Sequence, residues 1–154
     1  MNRFIVADAQ RCIGCRTCEA ACAVSHQDGT SPSATGFTPR IRVVKDSHFS
    51  APVACHQCED APCGNACPTG AIRRDFGHIF VEQSLCIGCK SCMLACPFGA
   101  MQVTMENDRV QAQKCDLCLH RETGPACVEA CPTNALNCID PIKLRQNRLN
   151  NHLA

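Results

Sequence analysis

Apolar residues fall along this chain in short bursts rather than in one long stripe. Seven of them, Phe4 to Ala7, Ile41 to Val44, Ile72 to Arg74, His78 to Val81, Ala100 to Met105, Val110 to Gln113 and Ala135 to Ile139, are β-like and bounded by Gly, Asp, Asn or Pro. That pattern predicts short strands joined by tight turns. Short helices fit Cys15 to Val24, Ala61 to Ala66, Lys90 to Ala95 and Pro125 to Ala130. Gln27 to Pro39, with its Gly, Ser, Thr and Pro, reads as a surface loop. The tail from Ile142 to Leu149 is polar apart from Ile142, Leu144 and Leu149. It reads either as an exposed helix covering a neighbour or as a frayed end.

No apolar run approaches the roughly 18 residues a membrane helix needs. The opening Met1-Asn2-Arg3-Phe4-Ile5-Val6-Ala7-Asp8 has no basic stretch followed by an apolar h-region. The expectation is a soluble, cytoplasmic chain in a compartment that keeps thiols reduced. Export as the passenger of a partner with its own twin-arginine signal would leave the same sequence.

Set against itself, the chain shows four cysteine blocks. The first holds Cys12, Cys15, Cys18 and Cys22, and the third holds Cys86, Cys89, Cys92 and Cys96; both are C-x2-C-x2-C-x3-C. The second, Cys55, Cys58, Cys63 and Cys67, is C-x2-C-x4-C-x3-C-P, and the fourth, Cys115, Cys118, Cys127 and Cys131, is C-x2-C-x8-C-x3-C-P. Short and long forms alternate. Ala66-Cys67-Pro68-Thr69-Gly70-Ala71-Ile72 also matches Ala130-Cys131-Pro132-Thr133-Asn134-Ala135-Leu136, so a two-block unit has been duplicated.

Composition decides what these blocks are for. A chain of 154 residues with 17 Cys, no Trp, no Tyr and 6 Phe has little bulky apolar matter for a core, so cross-links or metal must help hold it. The length suits one compact unit or two very small ones sharing a core. Disulfides fit poorly, because the count is odd, no signal peptide is visible and the spacings are those of ligands. Zinc ribbons need paired C-x2-C knuckles but leave the third and fourth cysteine of each block unexplained. The formal charge of +1, with basic residues dispersed, argues against a nucleic-acid partner. Four thiolate-bound cubes at about −2 each would bring it to roughly −7.

Cysteines at i, i+3 and i+6 can surround one Fe4S4 cube if the backbone curls tightly, and Gly14 and Gly88 supply that freedom. Amides of such a loop point at the anionic sulfurs. The fourth cysteine, carried off on the next short helix, serves a second cube in this kind of run. Pro68, Pro97 and Pro132 then end the helix, whereas the first block has Ala23 there. Two cubes are thereby held side by side, and metal binding and folding become one event.

Four blocks in this order resemble the four-cluster ferredoxin-like electron-transfer subunits of molybdopterin oxidoreductases, such as those of formate dehydrogenases, dimethyl sulfoxide reductase and formate hydrogenlyase. Residues 1–8, Cys58-Glu59-Asp60-Ala61-Pro62-Cys63, Lys114-Cys115-Asp116-Leu117-Cys118 and Gly124-Pro125-Ala126-Cys127 look most like the hydrogenlyase-type branch. Spacing alone leaves the pairing open, since eighteen residues separate Cys67 from Cys86 and eighteen separate Cys96 from Cys115. The resemblance implies that inner blocks pair with each other and outer blocks across them. One cluster would take Cys12, Cys15, Cys18 and Cys131, and a second Cys115, Cys118, Cys127 and Cys22. A third would take Cys55, Cys58, Cys63 and Cys96, and a fourth Cys86, Cys89, Cys92 and Cys67. The implied fold is α+β: tandem bacterial dicluster ferredoxin-like modules of short β-hairpins and short helices. An inner module, residues 50–104, would be inserted in an outer one, residues 1–49 plus 105–154.

Cys138 lies outside every block on an expected strand and reads as a buried structural thiol in preference to a spare ligand. Of the six histidines, only His56, within Cys55-His56-Gln57-Cys58, sits where it could feel a cluster and tune its potential with pH, but an exposed loop position suits it better. Arg16 and Lys90 follow a ligand and Lys114 precedes one. Such cations either raise a cluster's potential or are ordinary solvated charge. No phosphate loop, nucleophile elbow or placed carboxylate pair appears.

The expectation is a relay without catalysis of its own. Its four [4Fe-4S] clusters would join a catalytic molybdopterin subunit of the formate dehydrogenase kind to a hydrogenase or other redox subunit, without nucleic acid or membrane insertion. The rival readings are an accessory protein for maturation of a formate dehydrogenase or hydrogenase, with structural clusters, and a self-associating scaffold.

Overall fold

Every regular element of this chain is short, because each has to stop where a cysteine turns inward. The computed structural model describes residues 3–27, 37–75, 77–106 and 108–152, without the side chains of 106 and 147–152. Among these, strands pair only two by two. Strand β1 (Phe4–Ala7) runs antiparallel to β8 (Leu136–Ile139), β2 (Arg42–Lys45) to β3 (Ser50–Val53), β4 (Ile72–Asp75) to β5 (His78–Val81), and β6 (Gln102–Glu106) to β7 (Arg109–Gln113). The β1–β8 pair, in the register Phe4 to Ile139 and Ala7 to Leu136, ties the first strand to the last. Period-two alternation turns Ile5 inward.

Helices α1 (Thr17–Ser25), α2 (Pro62–Asn65), α3 (Ser91–Ala95) and α4 (Ala126–Glu129) each carry the end of a block, and a 3₁₀ turn lies at Gln83–Leu85. Helix α1 packs on α4 and α2 on α3. All four start later than the pattern predicts, α1 by two residues and α2, α3 and α4 by one. Arg16 (φ 60°), Ala61 (φ 40°) and Lys90 (φ 65°) are left-handed, so the backbone still curls where the pattern predicts helix. Gly70, Gly99 and Asn134 follow the three Cys-Pro pairs in the left-handed region, and their amides donate back to Cys67, Cys96 and Cys131 at 3.3 Å each. Ala23 cannot impose that turn, and α1 runs on past Cys22.

Strand β3 is absent from the expected set, because Pro52 within it reads as a break. In a two-stranded ribbon both strands are edges, and proline is tolerated. Helix α5 (Pro141–His152) fills the tail. Asp140 Oδ1 accepts from the amides of Ile142 (3.0 Å) and Lys143 (3.4 Å), with proline opening the helix. Of the expected loop at 27–39, residues 28–36 lie outside the described ones, and 37–39 are irregular.

Two cores form. The first gathers Ile5, Ile41, Val43, Leu117 and Leu136, and four of its ten buried members are cysteines: Cys18, Cys22, Cys115 and Cys127. The second gathers Ile72, Ile79, Met101, Ala112 and Cys92. The module boundaries that the resemblance implies, after 49 and after 104, fall between β2 and β3 and within β6, and β7 brings Ala112 to the second core. No helix among the described residues is long and apolar enough to cross a membrane.

Candidate metal centres

Packing α1 against α4 puts Cys18 and Cys22 beside Cys127 and the turn that carries Cys131, and packing α2 against α3 does the same for Cys63, Cys67, Cys92 and Cys96. The thiols consequently meet across distant blocks. Cys15 lies within electrostatic reach of Cys131, and Cys127 within reach of Cys22 and Cys118. Cys58 and Cys63 both sense Cys55 and Cys96. Cys89 senses Cys67, and Cys92 senses Cys86 and Cys89. Cys115 faces Cys127 and Cys22, and also Cys55 of the second block. All seventeen cysteines are free thiols.

Exposure grades these groups. Cys15 and Cys89 are the exposed cysteines, one in the first block and one in the third, while Cys22, Cys115, Cys118 and Cys127 are all buried. Burial pushes Cys18 up to about 11 and Cys127 up to about 12, and it raises Cys115 too. Several neighbouring thiolates cannot ionise together in such a place without positive charge among them, which an iron core provides.

Around the sulfurs stand donors suited to anions. The amides of Arg40, Gln57, Leu117 and Ala135 donate to Sγ of Cys22, Cys55, Cys115 and Cys131 at 3.3 to 3.4 Å. Thr17 donates its hydroxyl to Cys15 Sγ at 3.3 Å, and Ser91, Thr69 and Thr133 lie 3.5, 3.6 and 3.7 Å from Cys89, Cys67 and Cys131. The hydroxyl hydrogen bonds hold Cys15 and Cys89 below the usual thiol range. At Cys67 and Cys131 burial opposes them, and the hydroxyl and amide donors prevail. Each hydroxyl sits two positions after its cysteine, a repeat present in the sequence and missed by a reading intent on cysteines. N–H···S and O–H···S contacts at this density suit cluster ligands.

A strap closes the buried group. His26 joins Cys22 O (2.8 Å) to Asp116 Oδ1 (2.9 Å), and Arg40 binds the other oxygen of Asp116. Burial works against a charged His26, but Asp116 and the Cys22 groups outweigh it and lift the imidazole to about 10. Asp116, despite burial, is held well below the carboxylate range by His26 and Arg40. His120 meets His26 edge-on at 4.9 Å. Neither histidine stands out in the sequence, because the partners lie far along the chain.

His56 is exposed yet stacked between Phe98 (3.9 Å) and Phe4 (5.9 Å). Cys138 is only half-buried, against the edge of the first core, because β8 has no strand beyond it. Arg16 and Lys90 are solvated, whereas Lys114 is buried at 4% exposure.

A family profile described as a 4Fe-4S dicluster domain matches residues 47–140, and one described as a 4Fe-4S binding domain matches residues 9–25. The chain is 66% identical over 152 residues to YsaA of Escherichia coli (strain K12), a candidate electron transport protein, covering 97% of both chains. It is 54% identical over 162 residues to the electron transport protein HydN of the same strain, covering 95% of this chain and 93% of the other. Formate hydrogenlyase subunit 2 of that strain is 41% identical over 172 residues, covering 91% and 83%. Two such domains and seventeen cysteines fit four [4Fe-4S] clusters.

Proposed function

This chain belongs to the 4Fe-4S dicluster family of electron-transfer proteins, and on that premise we propose that it is a relay built of two nested dicluster modules. The observation that carries the reading is the meeting of thiols across blocks when α1 packs on α4 and α2 on α3. The proposed ligand sets are Cys12, Cys15, Cys18 with Cys131; Cys115, Cys118, Cys127 with Cys22; Cys55, Cys58, Cys63 with Cys96; and Cys86, Cys89, Cys92 with Cys67. The inner module then runs from the end of β3 at Val53 to the end of β7 at Gln113.

Each cluster, when bound, takes up and releases one electron. The exposure of the thiols supports one order of passage. Cys15 and Cys89 are the thiols open to solvent, so their ligand sets form the two ends. The buried set of Cys22, Cys115, Cys118 and Cys127 lies inside, and Cys115 abuts Cys55 of the inner module. Amide and hydroxyl donors hold the thiolates in place and stabilise their charge without a proton having to move.

Redox partners follow from the relatives, which include an electron transport protein and a formate hydrogenlyase subunit. The finer reading is a molybdenum or tungsten formate dehydrogenase at one end and a hydrogenase or similar subunit at the other, in the cytoplasm. Its support is the hydrogenlyase-like motifs and the 41% identity to formate hydrogenlyase subunit 2. Anaerobic purification with whatever co-elutes, followed by formate, tests it. The expected result is iron and sulfide at about sixteen of each per chain, with rapid reversible reduction during turnover. Clusters that stay oxidised while the enzyme turns over would favour an accessory role.

A further inference from the structure

Lys114 and Gln57 are the pair of buried polar side chains where the two cores meet. Gln57 is 1% exposed and Lys114 4%. Lys114 Nζ donates to Ile79 O at 2.5 Å, Cys115 O at 2.9 Å and Gln57 Oε1 at 3.3 Å. Gln57 in turn donates from Nε2 to Cys115 O (2.7 Å) and accepts from the Ile79 amide at 3.0 Å. Ile79 belongs to the second core and Cys115 to the first, so these two side chains bolt the modules together.

The ion pairs among the described residues join His26, Arg40 and Arg121 to carboxylates, and Lys114 is in none of them. Three neutral oxygens satisfy its hydrogens but not its charge, and a buried ammonium is costly when no opposite charge is near. The anions on hand are thiolates. Lys114 holds Gln57, which lies between Cys55 and Cys58 in the chain and donates its own amide to Cys55 Sγ at 3.4 Å, so the ammonium stands against the loop of that centre.

We propose that Lys114, aimed by Gln57, sets the potential of the Cys55, Cys58, Cys63 and Cys96 centre, and with it the driving force of the step between the modules. In that step one electron leaves one centre and enters the other, and no bond or proton changes hands. An added electron makes the acceptor more anionic, and a fixed buried cation beside it favours that state. Lys114 is thus a positioning and tuning residue, resting on the cluster-binding reading above.

The test is an anaerobic redox titration of holo-protein followed by electron paramagnetic resonance, with iron and sulfide counted on each sample. Lys114→Met with full loading is expected to lower one centre's reduced-to-oxidised ratio at least tenfold at fixed potential, about 59 mV for one electron, leaving the other three in place. Gln57→Glu keeps the lysine and sets a carboxylate beside it, and should shift the same centre in the same direction. If Lys114→Met does not load, Gln57→Glu decides. Loaded variants with four unmoved potentials, or with all four displaced together, overturn the inference, as does failure of both variants to load. Wild-type protein without iron and sulfide would instead sink the underlying reading.

Discussion

Gly88 and Val110 are packed so tightly that a β-carbon on the glycine would fall 2.5 Å from Val110 Cγ1 and 2.7 Å from its Cβ. Gly88 also has φ +70°, which L residues rarely adopt. The turn between Cys86 and Cys89 therefore lies directly on β7, and its curl and its fit both demand glycine.

Gly88→Ala should consequently be costly, by about 1–3 kcal/mol for overpacking plus about 1 kcal/mol for the backbone. Gly14→Ala, which meets the flexible Lys45 side chain and Ser50 at 3.1 Å, should cost less, and Gly70→Ala, with open space around it, least. Cluster loss in urea, followed by the fading of visible absorption, should rank the three in that order. Val110→Ala should recover part of the Gly88→Ala loss.

Hydroxyl removal at Thr17 and Thr133 should act on a single centre under the proposed pairing, since their partners Cys15 and Cys131 lie within electrostatic reach of each other. A hydrogen bond to a charged acceptor contributes about 1.5–3 kcal/mol, and only the part that strengthens on reduction shifts the potential. Thr17→Val and Thr133→Val should each make the same centre a few-fold harder to reduce. Redox titration checks this, and shifts at two different centres would separate Cys15 from Cys131.

Glu19 is buried in α1, and its carboxylate accepts from the Val43 amide of β2 at 2.5 Å. Glu19→Ala would orphan that amide at a cost of about 1–3 kcal/mol. Glu19→Gln retains an acceptor and should lose less. Chemical denaturation of the loaded protein distinguishes the two.

Much of this was legible beforehand, for a physical reason. Ligand spacing, Cys-Pro endings and short apolar bursts are local, and the strands of Phe4, Ile72, His78 and Val110 stand within a residue or so of where the apolar pattern puts them. Elsewhere the deciding contact lay far along the chain. Pro52 hid β3 because its tolerance depends on having a single neighbour strand. Left-handed Arg16, Ala61 and Lys90 delay three helices, because each turns the backbone at a point that helix propensity does not mark. Lys114 looks like any surface lysine until Gln57 and Ile79 arrive from the other module to bury it.

Ala23 stands where the other blocks have proline, and the helix it continues carries His26 to Asp116. Ala23→Pro should end α1 early and remove that strap, at a cost of about 3 kcal/mol or more. Faster loss of one centre than in wild type, measured as the iron released to a chelator, is the expected outcome.

Swapping sulfur for oxygen at Cys22 examines the exchanged-ligand arrangement more directly than anything else. In anaerobic holo-protein, Cys22→Ser should alter the same paramagnetic signal as Cys115→Ser and leave alone the one altered by Cys12→Ser. If Cys22→Ser instead reproduces Cys12→Ser, each block closes on its own cube and the nested pairing is wrong.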